Sequence, residues 1–74
     1  MADTDHSTYK KIEVVGSSRH SIGDAIQSAL AECAKTLSLL EWFEVSEIRG
    51  HLVDGNKVGH YQVTLKGGFR IQGT

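Results

Sequence analysis

The sequence predicts an α+β domain of order β-α-β-β, in which one helix covers one face of a three-stranded antiparallel sheet. Three observations carry this. A segment near the start alternates apolar and polar residues. A single stretch repeats apolar residues at helical spacing. Two further alternating segments flank an Asp-Gly turn.

Tyr9 to Val15 is the first strand: Ile12 and Val14 point one way, Lys11 and Glu13 the other. Gly16-Ser17-Ser18 is expected to end it. The helix then begins at Ser21, with Asp24 three residues on as a weakened capping box. Ile22, Ala25, Ile26, Ala29, Leu30, Cys33, Ala34 and Leu37 form one apolar stripe. Asp24, Gln27, Ser28, Glu32 and Lys35 occupy the opposite side. Alanines in the stripe allow close approach to a sheet.

The second strand starts at Leu40-Glu41-Trp42-Phe43-Glu44-Val45. Phe43 and Val45 share the face expected to meet the helix; Trp42 and Glu44 share the outer one. Val45 and Ile48 cannot both face that core at strict period two. An extra residue near Ser46-Glu47 repairs the pattern, so a β-bulge is expected there. Beyond it Arg49 joins Trp42 on the outer face. Val53-Asp54-Gly55-Asn56 is a turn. Val58 to Ile71 is a long third strand, with Tyr61, Val63, Leu65, Phe69 and Ile71 on one face and His60, Gln62, Thr64, Lys66 and Arg70 on the other. Residues 1–8 are polar and aperiodic, which reads as a flexible tail before a single domain over 9–72.

Size and composition bound the function. A chain of 74 residues is one small domain, and a core this small needs reinforcement. One cysteine, Cys33, excludes an internal disulfide. The four histidines are scattered and, with one cysteine, fit no closed zinc pattern. Self-association is the staple that remains. A net charge of −1 and no basic stripe argue against nucleic acid. No apolar run approaches the ~18–20 residues that span a bilayer, and the polar start carries no export signal, so the cytoplasm is expected. No pair of carboxylates is set around a cleft with a base, so an enzyme is not expected. Cys33, on the apolar stripe, reads as a small core residue.

Trp42 is the residue the fold leaves unexplained, since one helix covers one side only. A lone outward tryptophan more often seals an oligomer contact than serves as a ligand platform. Hairpin geometry adds detail. With the turn near Gly55, Trp42 falls opposite Gly68 and Arg49 opposite Gln62, both on the outer face. Gly67 and Gly68 are expected to leave space beside the indole for a planar ring. Trp42 and Gln62 stand about six residues apart, roughly 20 Å at ~3.3 Å per residue. One flat heterocycle touching both requires a site that crosses a subunit interface.

These residues also resemble a known family. Tyr9 to Ser18 (YKKIEVVGSS), Ala34-Lys35-Thr36-Leu37, Trp42-Phe43-Glu44-Val45, Glu47-Ile48-Arg49-Gly50-His51, His60 to Lys66 (HYQVTLK) and Gly68-Phe69-Arg70 are similar to segments of the dodecins, in order and nearly without gaps. The resemblance implies a hollow homododecamer of cubic (tetrahedral) symmetry that stores or sequesters flavin. Pairs of flavins would stack between tryptophans at two-fold interfaces. Position by position, it implies that Trp42 is the stacking indole, that Gln62 bonds the pyrimidine edge, and that Arg49 lies by the ribityl-phosphate end. His51 is a further candidate for the phosphate. FMN is the flavin implied first, with FAD or riboflavin as alternatives and coenzyme A as a possible second ligand. The rival readings are a flavin-dependent redox enzyme and a structural shell without ligand. Gly67, the long polar start and Val53 to Lys57 depart from the family's usual pattern.

Overall fold

A computed structural model describes residues 7–36 and 38–71. The elements are β1 (Tyr9–Ser18), α1 (Ile22–Thr36), β2 (Leu40–Val53) and β3 (Lys57–Arg70). They form one antiparallel sheet of order β1-β3-β2. The expected β-α-β-β order and antiparallel pairing are therefore present. Six of the eight residues expected as a tail (1–6), the expected stripe residue Leu37 and residue 72 of the expected domain lie outside the described residues.

β1 runs further than its sequence suggests. Gly16, Ser17 and Ser18 stay in the ladder, paired with Val63, Gln62 and Tyr61. Gly16 does not break the strand; it lets the helix close on it. A Cβ there would meet the Ala25 carbonyl oxygen and lie 2.9 Å from the Ala29 methyl. The helix start is built as expected: the Asp24 amide donates to the Ser21 hydroxyl at 2.9 Å. The Asp24 carboxylate does not complete the box. It accepts from the Ser18 hydroxyl at 2.7 Å, and that hydroxyl accepts from the amides of His20 and Ser21.

The core is small. Ala25 and Ala29 of the helix meet Val63 and Leu65 of the central strand, with Val14, Ile26 and Leu30 packed around them. Phe69 and Cys33 are also buried; the thiol lies inside, as its place on the stripe implies.

One expectation about the core is corrected. Phe43 and Val45 were assigned to the helix-covered face, yet Phe43 is 46% and Val45 36% exposed. The sheet order explains this. β3 is central, the helix packs on β1 and β3, and β2 lies at the far edge. The hairpin projects beyond the helix, so the domain measures 55 × 20 × 14 Å.

The β2–β3 turn places both Asp54 (φ 45°) and Gly55 (φ 88°) in the left-handed region. Glycine enters that region freely and aspartate more readily than most residues. This fixes the register of the whole hairpin: Trp42 pairs with Gly68 and Arg49 with Gln62, as the sequence predicts. The expected bulge falls between Val45 and Glu47. Two further irregularities, between Leu40 and Trp42 and between His51 and Leu52, carry no cue in the alternation.

Candidate functional site

The outer face is read along β3, where His60, Gln62, Thr64, Lys66 and Gly68 alternate onto one side. Trp42 stands at one end of this row. An added Cβ on Gly68 would approach three ring atoms of the indole, Cε2, Cδ2 and Cζ2, almost equally. Near-equal approach to three ring atoms means that the flat of the indole rests on the glycine backbone. This corrects the expectation that Gly68 leaves room for another ring: the space above it is filled by Trp42 itself. Gly67 faces the opposite way, where an added Cβ would lie 3.1 Å from Leu40 and 3.2 Å from Phe69. With one face seated on β3, Trp42 keeps 38% of its surface exposed.

A second aromatic stands beside it, which the sequence reading did not single out. The Tyr9 ring lies 6.0 Å from the indole at 50°. The Tyr9 hydroxyl donates to Glu41 at 2.7 Å. Glu41 lies in the irregularity between Leu40 and Trp42, and its other oxygen pairs with Arg70 at 3.2 Å. The hydrogen bond to Glu41 raises the Tyr9 pKa above its ordinary 10.0, with smaller contributions from desolvation and from the Glu41 charge. Tyr9 pairs with Arg70 across the sheet, and the irregularity in β2 brings Glu41 to both.

Gln62 and Arg49 meet further along the row. Arg49 donates from Nη1 to the Gln62 carbonyl oxygen at 3.5 Å and to the Thr64 hydroxyl at 3.3 Å. Its Nη2 bonds Glu47 at 2.5 Å. Arg49 is thus held flat across the strand pair, and the Gln62 NH₂ makes no hydrogen bond among the described residues. His51 lies beyond, paired with His60. Lys11 and Glu44 form a loose pair at 3.7 Å near Trp42. Both ion pairs near the indole, Lys11–Glu44 and Arg70–Glu41, lie within one chain.

The structure thus brings Arg49 and Gln62 together, sets His51 two pairs beyond against His60, and leaves Trp42 apart. From Gly68, under the indole, to Gln62 is six residues of extended chain, roughly 20 Å. Among the described residues no group of three or more His, Cys, Asp or Glu is placed to hold a metal ion. No described helix is long and apolar enough to cross a membrane.

Comparison with known proteins identifies the family. The dodecin family model matches residues 8–72. A dodecin from Thermus thermophilus is 52% identical over 66 residues, covering 89% of this chain and 94% of that protein. A crystal structure of a Thermus thermophilus protein superposes with a TM-score of 0.85 at 50% identity, covering 92% of this chain and 98% of the other. The dodecin of Streptomyces coelicolor gives a TM-score of 0.85 at 42% identity, covering 93% and 97%. On the match over nearly its whole length, the chain belongs to the dodecin family.

Proposed function

We propose that this protein is a flavin-binding store, with FMN as its first ligand, assembled as a hollow homododecamer. The observation that carries the reading is the separation of Trp42 from Gln62 on one face of one hairpin. An isoalloxazine ring is far shorter than roughly 20 Å, so a ring in contact with both must lie between two subunits. The exposed flank of the indole offers the platform. The free amide of Gln62 donates toward a ring carbonyl. Arg49, braced by Glu47 and Thr64, offers forked donors to a ribityl-phosphate.

The assembly has its own support. Phe43, Val45, Ile48, Leu52 and Val53 are all exposed in the isolated chain. Exposed apolar side chains in this number along one edge strand mark an interaction surface, and a 74-residue domain gains from covering them.

Trp42 performs the work of the site. Stacked aromatic pairs contribute about 0.5–1.5 kcal/mol beyond area burial. Bound flavin supplies an electron-poor ring that absorbs light. The electron-rich indole of Trp42, held against such a ring, would quench its excited state by reversible electron transfer, so that the light energy would be lost as heat. A ring covered on both faces by an indole or a second flavin would leave no berth for a substrate, which favours a store over a redox enzyme.

Titration of FMN with the purified full chain tests this. Flavin emission should fall nearly to zero at saturation, and Trp42→Ala should abolish the quenching. Bright emission at saturating protein would refute the stacking.

A further inference from the structure

The outer face continues past Arg49 to a feature that ring stacking does not use. His51 and His60 are cross-strand partners. Their rings stack with centroids 4.7 Å apart and planes within 10°. His60 also lines an open cleft of about 320 Å³ with Ser17, Ser18 and Arg19. The register creates it: Ser18 pairs with Tyr61, so Arg19 leaves the sheet level with His60.

Of the charged side chains near this cleft, Arg19 is the one that lines it. Asp24, the carboxylate nearest in the hydrogen-bond network, is engaged by the Ser18 hydroxyl at 2.7 Å. Arg49, two pairs further along, is matched by Glu47 at 2.5 Å. Arg19 forms no ion pair among the described residues. Lys57 and Asp54, at the turn, offset one another in charge. What lines the cleft is the Arg19 guanidinium, the Ser17 and Ser18 hydroxyls and the His60 imidazole, whose ring stacks on His51.

We infer that this cleft is a phosphate-binding site whose strength is set by protonation of the His51–His60 pair. Two imidazolium rings stacked 4.7 Å apart repel each other and the Arg19 charge. An anion in the cleft would offset positive charge there, so binding and proton uptake favour each other. Histidine is the side chain that changes charge between about pH 5 and 8. Affinity for a permanently dianionic ligand therefore rises as pH falls through that range. A phosphate monoester, whose second pKa is about 6, loses a charge over the same interval, and its binding passes through a maximum. Forked guanidinium donors beside ring N–H groups match the tetrahedral oxygens of such a group.

The site does not depend on the flavin reading; only the identity of its occupant does. The phosphate belongs either to the tail of a bound flavin or to a separate small molecule.

The test is NMR of the histidine ring protons in the full chain, titrated with sulfate at constant ionic strength. Sulfate keeps its two charges throughout. Saturable shifts of His51 and His60 are expected at pH 6, with affinity weaker by about tenfold or more at pH 8. His60→Gln and, separately, Arg19→Gln should each remove most of the response; the second variant serves if the first does not fold. Equal affinity at the two pH values, or unchanged binding in a folded variant, would overturn the inference. FMN and riboflavin then distinguish the sources. A preference for FMN that His60→Gln abolishes assigns the site to the flavin's own phosphate. Equal affinity for both flavins, with inorganic phosphate still bound, assigns it to a separate ligand. If no flavin binds at all but sulfate does, the flavin reading fails and the anion site stands.

Discussion

The two halves of this domain are built from similar residues and treated differently by the fold. Val63, Leu65 and Phe69 of the central strand are almost wholly buried beneath the helix and the flanking strands. Phe43, Ile48, Leu52 and Val53 of the edge strand are just as apolar and are 46–60% exposed. A strand buried only for its own chain's sake would not carry this composition at an edge. The helix-backed half holds the monomer's core; the projecting hairpin leaves apolar side chains exposed, and the proposed assembly would cover them.

That contrast can be broken most sharply from the inside. Leu65→Ala removes a fully buried side chain between helix and sheet, and should cost about 2–5 kcal/mol. Chemical denaturation followed by circular dichroism should show the loss. A similar cost is expected for Leu52→Ala only if the assembly, rather than the monomer, is what unfolds.

Trp42→Ala separates binding from folding. Base–aromatic stacking is worth about 1–3 kcal/mol per contact, so FMN affinity should fall roughly 5- to 150-fold or more. Circular dichroism and particle size should be unchanged. Gly68→Ala makes the same point from beneath: its methyl group meets the indole. The ring must move, so weaker FMN binding is expected in a folded protein, by direct titration.

Tyr9→Phe should have the smallest effect. It removes the hydrogen bond to Glu41 and so leaves the ring's neighbour to Trp42 in place but less firmly held. The sign with pH follows from the raised pKa. The contribution of Tyr9 is present below its unfolded value near 10 and fades as pH rises through the higher folded value. Parent and variant should therefore differ slightly at neutral pH and converge in strong alkali. A spectrophotometric tyrosinate titration of the parent should show one tyrosine ionising late.

Much of the hairpin was legible in the sequence because three local rules agree. Asp54-Gly55 sets the turn, alternation sets the faces, and the mismatch of Val45 with Ile48 demands the bulge. Together they give the Trp42–Gly68 and Arg49–Gln62 pairs. What alternation does not encode is sheet order. It shows that Phe43 and Val45 share a face but not that β2 lies at the edge, beyond the helix. The role of Gly68 was misread for a related reason: a glycine opposite an aromatic leaves a gap in a sequence diagram, but the aromatic's own ring falls into it. Tyr9–Glu41–Arg70 was missed because Glu41 sits in an irregularity that no apolar pattern announces. Gly16 reads equally well as a strand end or as a close contact, and only the Ala25–Ala29 stripe of the packed helix decides between them.

The most direct test of the central claim is native mass spectrometry of the purified protein with and without FMN. The account predicts a particle of about twelve times the 8.1 kDa chain, taking up about one FMN per chain, with uptake lost in Trp42→Ala and the particle intact. A solitary 8.1 kDa chain that binds FMN on its own would contradict it.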